Sequence, residues 1–208
     1  MKYNITAGLI ITISRGDTAS HHLNSLLAAY KALGCPNEVI GLDLAGDENT
    51  PFPPSLPGLF TKAKKELGLG ITIHAGETGN SDNIIQAIEL FGADRIGHGT
   101  AAIQSQKVIE LIKLKDICIE VCPISNRLTN AVKPEDSHPA ILFIENQIPF
   151  VICSDNPAIH NKGISDDYLM FLNESNNQAS IARMFELQSR YSFLWRKHEN
   201  PFCFQKQA

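Results

Sequence analysis

The segment ITIHAGETGN (residues 71–80) joins an apolar run to a histidine and a carboxylate. Its β-branched residues favour a β-strand, and that pattern stops at His74. Glu77 follows three residues later, just before a turn that contains glycine. A histidine and a glutamate at a strand end are typical of a metal or proton-transfer site, but they also occur at ordinary strand ends. The residues that end the other strands decide between these alternatives.

Strand patterns and helix patterns alternate on both sides of this segment. Apolar residues at helical spacing separate the strand patterns, and from residue 165 onward the pattern is helical. Six strands are predicted, at residues 5–13, 38–46, 71–77, 94–100, 117–123 and 148–157. Strands that alternate with helices at this spacing predict an α/β protein with a parallel sheet.

Polar residues collect at the carboxyl ends of these predicted strands. They are Asp43, His74, Glu77, His98, Cys122, Ser125, Asn126, Asp155 and Asn156, and Gly46 lies among them. In a (β/α)₈ barrel all strand ends meet at one face, where the active site lies. In a doubly wound open sheet they would be strung along an edge, and only one crevice would be functional. The pattern favours the barrel, with the doubly wound sheet as the alternative.

Length and composition limit the classes of function. The chain of 208 residues is expected to form one domain, residues 1–208, and 43% apolar with 19% charged residues is typical of a soluble globular protein. A net charge of −4 argues against nucleic-acid binding, and no apolar run reaches transmembrane length. The five scattered cysteines indicate reduced thiols in a cytoplasmic protein and no cysteine-based zinc site.

Five strand-end motifs occur together and in order. They are DLAGDE (residues 43–48), HAGE (74–77), RIGHGT (95–100), EVCPISN (120–126) and SDNP (154–157). This set resembles the adenosine deaminase family over about residues 5–194, which corresponds to the C-terminal three quarters of the family's domain. The resemblance implies a zinc-dependent (β/α)₈ barrel, here with about six βα units. It also implies hydrolysis of the 6-amino group of adenosine or a related aminopurine nucleoside, giving inosine and ammonia.

The resemblance also implies roles for individual residues. His74 and Asp155 would be zinc ligands. Glu77 would give a proton to purine N1, and His98 would hold the attacking hydroxide and steady the developing charge. Zinc lowers the pKa of bound water to about 7, and an acid at N1 avoids a build-up of charge as the ring is attacked.

Two positions would contact the substrate. The backbone N–H of Gly46 would meet purine N3. Asn156 stands where the family usually has an aspartate facing N7, and an amide can donate a hydrogen bond to N7 without first being protonated. Asn156 can also be read as a turn residue before Pro157.

The family's first strand carries a His-x-His motif with two further zinc ligands, and this sequence lacks the motif. His21 and His22 are adjacent rather than alternating. Residues 5–13 correspond to the family's third strand, so the first two strand–helix units are expected to be missing. His74 and Asp155 alone are fewer than the three protein ligands that a catalytic zinc normally has.

Three hypotheses follow. The chain is part of a deaminase whose remaining segment lies elsewhere, or it is a truncated, inactive binding module, or it deaminates a related ring with an altered metal site. A missing N-terminal segment or a second copy of the chain would cover the open edges of the sheet, which are otherwise prone to aggregation.

Overall fold

The structure is a computed structural model that describes residues 6–194. Its sheet has six strands: β1 (Leu9–Ser14), β2 (Val39–Ala45), β3 (Gly70–Ala75), β4 (Arg95–His98), β5 (Cys118–Val121) and β6 (Phe150–Ile152). Each strand pairs in parallel with the next one along the chain, in the order β1-β2-β3-β4-β5-β6. The α/β class and the six parallel strands are therefore confirmed.

Helices follow every strand: the first six connect consecutive strands, and the last three follow β6. They are α1 (Ala19–Ala32), α2 (Leu56–Leu67), α3 (Asp82–Glu89), α4 (Gln106–Leu114), α5 (Pro123–Leu128), α6 (Ala140–Glu145), α7 (Pro157–His160), α8 (Ile164–Ser175) and α9 (Gln178–Tyr191). A 3₁₀ helix (Thr100–Gln104) follows β4. The sequence did not predict α5 and α7, which are short and follow strands directly. Each begins with proline in its first turn, where a missing N–H costs nothing.

The strand order decides between the two architectures considered from the sequence. A doubly wound sheet reverses its strand order at a switch point, whereas here the order never reverses. The winding is that of a barrel wall. Within residues 6–194, β1 and β6 pair on one side only, so the sheet is open.

The hydrophobic core lies between the outer face of the sheet and the helices. Alternate strand residues such as Leu42, Leu44, Ile71 and Ile73 are at most 1% exposed and belong to one cluster. The opposite, inner face is polar. Asp43 and Thr72 are register partners, and Arg95 pairs with Glu120 (Nε to Oε1, 2.6 Å). The polar side chains of the inner face therefore continue to the carboxyl ends of the strands.

Two local predictions differ from the structure. The first strand begins at Leu9 rather than at residue 5, and Ile5 lies outside the described residues. Ser81 before α3 is a candidate N-cap by sequence, but the side chain of Asn80 instead accepts a hydrogen bond, from the N–H of Asp82 (3.0 Å). Among the helices of residues 6–194, none combines the length and apolar character that a membrane span needs.

Candidate active site

Three potential metal-ligating side chains converge at the carboxyl end of the sheet. One ligand atom each from His74, His98 and Asp155 lies within 4.8 Å of the others. These residues come from the ends of β3, β4 and β6, so the fold brings together positions far apart in sequence. His21 and His22 are exposed on α1 and take no part. Within residues 6–194, this is the single group of three such residues.

The ring of His74 is held by a carboxylate. Its Nδ1 lies 2.9 Å from Oδ1 of Asp43, whose Oδ2 accepts a hydrogen bond from the Thr12 hydroxyl (3.2 Å). Gly97 lies beside His74 in the register, and a Cβ there would come within 3.1 Å of the same Nδ1. The first glycine of the Gly-His-Gly motif therefore makes room for the His74 ring.

The backbone of His98 turns its side chain toward this ring. Gly97 occupies the inner face with His74, so regular strand alternation would point the next residue outward. His98 instead has φ = 64°, in the left-handed region where β4 ends. Its ring lies 5.0 Å from the His74 ring, centroid to centroid. This conformation costs backbone strain, which is typical of functional positions.

Asp155 is also in the left-handed region, with φ = 51°. Its Oδ2 accepts a hydrogen bond from the Ser125 hydroxyl (2.7 Å), which orients the carboxylate. Ser125 lies on α5, one of the two helices that the sequence did not predict.

Glu77 lies beside His98. Its Oε2 is 3.5 Å from His98 Nε2, and its Oε1 accepts a hydrogen bond from the Thr129 hydroxyl (2.9 Å). The backbone before Glu77 is held by the buried Glu48. The two oxygens of Glu48 accept hydrogen bonds from the N–H groups of Gly76 and Glu77, both at 2.7 Å.

The two predicted substrate contacts are both exposed. Gly46 directly follows β2 and has φ = 103°, a conformation that glycine readily adopts. Asn156 caps α7, where its Oδ1 accepts a hydrogen bond from the N–H of Ile159 (3.2 Å). The capping bond uses the amide oxygen, so the other end of the side chain is an NH₂ donor.

Burial and charge set the protonation of the two clustered histidines in opposite directions. Burial by itself lowers the pKa of His74, but the hydrogen bond and charge of Asp43 outweigh it and raise that pKa to about 9. Burial dominates at His98 and lowers its pKa despite the charge of Glu77. The difference comes from the partner of each ring, because only His74 contacts a carboxylate at hydrogen-bond distance.

These positions fit part of a zinc site. An Nδ1 bonded to a carboxylate leaves Nε2 of His74 as the ligating atom, which is the usual arrangement of zinc-binding histidines. Asp155 supplies an oxygen ligand of a type that zinc accepts. The described residues thus offer one imidazole and one carboxylate in ordinary ligand roles, with His98 beside them.

Sequence reasoning missed several residues that shape the site. It identified Asp43 only as a polar strand end and gave no role to Glu48, although both lie in the DLAGDE motif. Asn126 was likewise only a strand-end residue, yet its side chain contacts His98. His138 carried no motif signal, and only the fold brings it against Asn126.

The sequence model of the family described as "Adenosine deaminase" matches residues 2–200. Among curated proteins, the chain is 36% identical over 166 residues to an adenosine deaminase of Clostridium kluyveri, covering 79% of this chain and 47% of that protein. It is 35% identical over 171 residues to an adenosine deaminase of Plasmodium falciparum, covering 81% and 45%. The chain thus spans about half the length of the curated relatives it matches.

Solved structures show the same fold. The N6-methyl-AMP deaminase of Arabidopsis thaliana has a TM-score of 0.77 at 20% identity, covering 92% of this chain and 56% of that one. An amidohydrolase of Burkholderia ambifaria, solved with bound Zn, has a TM-score of 0.81 at 21% identity, covering 92% and 53%. The strand-end motifs, the clustered side chains and the match of the family model agree, and the chain belongs to the adenosine deaminase family.

Proposed function

We propose that this chain carries the proton-transfer and substrate-binding part of a hydrolytic aminopurine deaminase, with adenosine as the first substrate to test. The observation that carries the proposal is the convergence of His74, His98 and Asp155 within 4.8 Å, with Glu77 adjacent to His98. Residues 1–208 would act as a single catalytic domain that needs further strands for full activity. Its small-molecule partner would be a purine nucleoside.

His74 and Asp155 would hold zinc, which when bound would lower the pKa of a water molecule to about 7 and supply hydroxide at neutral pH. Glu77 would protonate purine N1 as oxygen adds to C6, so that negative charge does not accumulate on the ring. His98 would orient the incoming oxygen. The Gly46 N–H would bind N3, and the amide NH₂ of Asn156 would donate to N7.

Complementation tests this function. The chain is co-expressed with the first two strand–helix units of a curated relative, such as the Clostridium kluyveri adenosine deaminase, which supply a His-x-His strand. The ultraviolet shift from adenosine to inosine reports turnover. We expect activity in the complex and negligible activity in the 208-residue chain alone. Strong activity of the chain alone would contradict the need for further strands.

The role of Glu77 is tested in the active complex. Glu77→Gln keeps the shape of the side chain but cannot protonate N1, so turnover should fall by about 10²- to 10⁴-fold. Zinc content should be unchanged, because Glu77 is not a proposed ligand. Glu66→Gln on the exposed face of α2 is the matched control. Near-normal turnover of the Glu77 variant would remove it from the mechanism.

A second candidate is a binding module without catalysis. It is favoured by the small number of suitable ligands. Within residues 6–194, only His74 and Asp155 of the clustered side chains have the hydrogen-bond partners that are typical of zinc ligands. A folded, zinc-loaded complex that binds purine nucleosides but does not deaminate them would support this function instead.

A further inference from the structure

A line of buried hydrogen bonds runs from the start of α6 to His98. The N–H of Ala140 donates to Nδ1 of His138 (3.1 Å), and Nε2 of His138 lies 3.2 Å from Oδ1 of Asn126. Nδ2 of Asn126 then lies 3.0 Å from Nδ1 of His98. The three side chains are at most 3% exposed, so water does not compete for these contacts.

The backbone amide at the far end sets the direction of every bond in the line. An N–H group can only donate, so Nδ1 of His138 must carry a lone pair and its proton must sit on Nε2. Nε2–H then donates to the oxygen of Asn126, which leaves the NH₂ end of that amide facing His98. An amide NH₂ group can donate a hydrogen bond but cannot accept one, so Nδ1 of His98 must also carry a lone pair.

We infer that His138 is a positioning residue that, through Asn126, holds His98 in the tautomer with its proton on Nε2, so that His98 acts as a hydrogen-bond donor at the site and not as a metal ligand. The inference concerns which nitrogen carries the proton. It follows from the geometry of three contacts and one backbone amide.

The same logic separates His98 from His74. The Nδ1 of His74 faces a carboxylate, which only accepts hydrogen bonds, so the proton sits on Nδ1 when Nε2 is the ligating atom. The Nδ1 of His98 faces an amide donor, and its proton sits on Nε2. When Nε2 of His74 ligates a metal, these two histidines, whose rings lie 5.0 Å apart, carry their protons on opposite nitrogens and have different tasks.

The consequence for the reaction rests on the proposed function. Nε2 of His98 points toward the site, where it lies 3.5 Å from Oε2 of Glu77. A proton there lets His98 donate a hydrogen bond to an oxygen entering between these groups, and it prevents Nε2 from removing a proton as a base.

Nitrogen NMR of the 208-residue chain labelled with ¹⁵N-histidine tests the inference without requiring activity. Two-bond and three-bond couplings to the ring carbons' protons distinguish the two neutral tautomers. In the wild-type chain we expect both His98 and His138 to show a protonated Nε2 and an unprotonated Nδ1. A protonated Nδ1 on His98 would overturn the inference, and this measurement needs no variant to fold.

Variants then test whether the tautomer depends on the line. Asn126→Asp replaces the NH₂ donor by an acceptor, so His98 should gain a proton on Nδ1. His138→Gln keeps a donor for Asn126, so the wild-type signature of His98 should persist. His22→Gln, at an exposed position on α1, is the control. An unchanged His98 signature in a folded Asn126→Asp chain would show that the line does not set the tautomer.

The active complex supplies the link to chemistry. Asn126→Asp should lower kcat with a smaller effect on KM, since an incorrect tautomer of a catalytic histidine can cost about 10⁴-fold in turnover. His138→Gln, which keeps a donor for Asn126, should retain most of the wild-type kcat. The expected NMR signatures without any turnover would contradict the proposed deamination and leave the tautomer assignment standing. Turnover with the wrong signatures would refute only the assignment.

Discussion

At the scale of single residues, two buried carboxylates hold the site in place through hydrogen bonds. Asp43 contacts the ring of His74, while Glu48 accepts hydrogen bonds from the successive backbone N–H groups of Gly76 and Glu77. Asn83 also donates to Glu48 through its Nδ2 (2.7 Å), so one carboxylate gathers three donors. Hydrogen bonds to a charged acceptor are stronger than neutral ones, and their loss leaves buried donors unpaired.

We therefore expect Glu48→Gln to destabilise the chain. The substituted NH₂ group would face N–H donors that it cannot satisfy, and each unpaired buried donor costs about 1–3 kcal/mol. The free energy of unfolding from urea titration measures this loss. Glu89→Gln on the exposed end of α3 is the matched control and should change stability by less than about 0.5 kcal/mol. Equal stability of both variants would contradict the bracing role of Glu48.

The titration of His138 gives a second expectation at this scale. Burial lowers the pKa of His138 from 6.5 to about 4, against the opposing charge of Glu174. The unfolded chain therefore binds a proton between pH 6.5 and 4 that the folded chain does not bind. The contribution of neutral, buried His138 to the free energy of unfolding is fully present above pH 6.5 and is lost as the pH falls toward 4. Its size is roughly 3 kcal/mol at about 1.36 kcal/mol per pKa unit.

Unfolding free energies measured between pH 7 and pH 4 test this slope. His138→Gln does not titrate, so its stability should fall less steeply than that of the wild-type chain across this range. His22→Gln should keep the wild-type slope, because His22 is exposed on α1. Parallel curves for wild type and His138→Gln would mean that His138 is not held neutral.

At the scale of elements, the segment after α9 closes the inner face of the sheet near the amino ends of its strands. Phe193 is 1% exposed, and the Arg95 guanidinium lies 3.8 Å from the centroid of its ring. Glycines at neighbouring positions of β2 and β3 leave space for this ring. A Cβ at Gly41 would come within 2.8 Å of the ring, and one at Gly70 within 2.4 Å. These two glycines are required by packing.

Gly70→Ala should destabilise the chain by about 1–3 kcal/mol, because the added methyl group must displace the Phe193 ring in a filled interior. Gly58→Ala, on the exposed face of α2 with nothing within 4 Å of the new Cβ, should instead stabilise by about 0.5–1 kcal/mol. Thermal or urea unfolding of both variants shows whether each substitution lowers or raises the free energy of unfolding. A neutral Gly70 variant would show that Phe193 does not fill this space.

At the scale of the whole molecule, polar side chains at the carboxyl ends of the strands converge at one edge of an open sheet. The site residues come from β3, β4, β6 and the connections that follow them, and they converge because every strand runs in the same direction. Strands β1 and β6 each have one unpaired side within the described chain. Further strands added at these edges would face the same site.

This arrangement predicts the metal content of the isolated chain. With His98 assigned as a hydrogen-bond donor, the proposed ligands are His74 and Asp155, whereas a catalytic zinc normally has at least three protein ligands. We expect zinc to be substoichiometric after dialysis and metal analysis, and to rise toward one per chain in the complemented complex. One tightly held zinc per isolated chain would contradict this expectation and would require another ligand.

The sequence by itself determined the features that depend on local patterns. Apolar periodicity predicted all six strands and most of the helices, and five ordered motifs indicated the family and the residues His74, Glu77, His98 and Asp155. These signals are readable because strand alternation, helical spacing and strand-end polar residues are properties of short segments. The short helices α5 and α7 were missed because each has only one turn or so of apolar pattern to detect.

Only the tertiary structure decided how these residues act on one another. The order of the strands excluded a doubly wound sheet, and the left-handed backbone of His98 turned its ring toward His74. The partners that distinguish the two histidines, Asp43 for one and Asn126 for the other, are separated from them by 31 and 28 residues. A proton's position depends on the atom it faces, and which atoms face each other across such distances is set by packing of the whole sheet rather than by any local pattern.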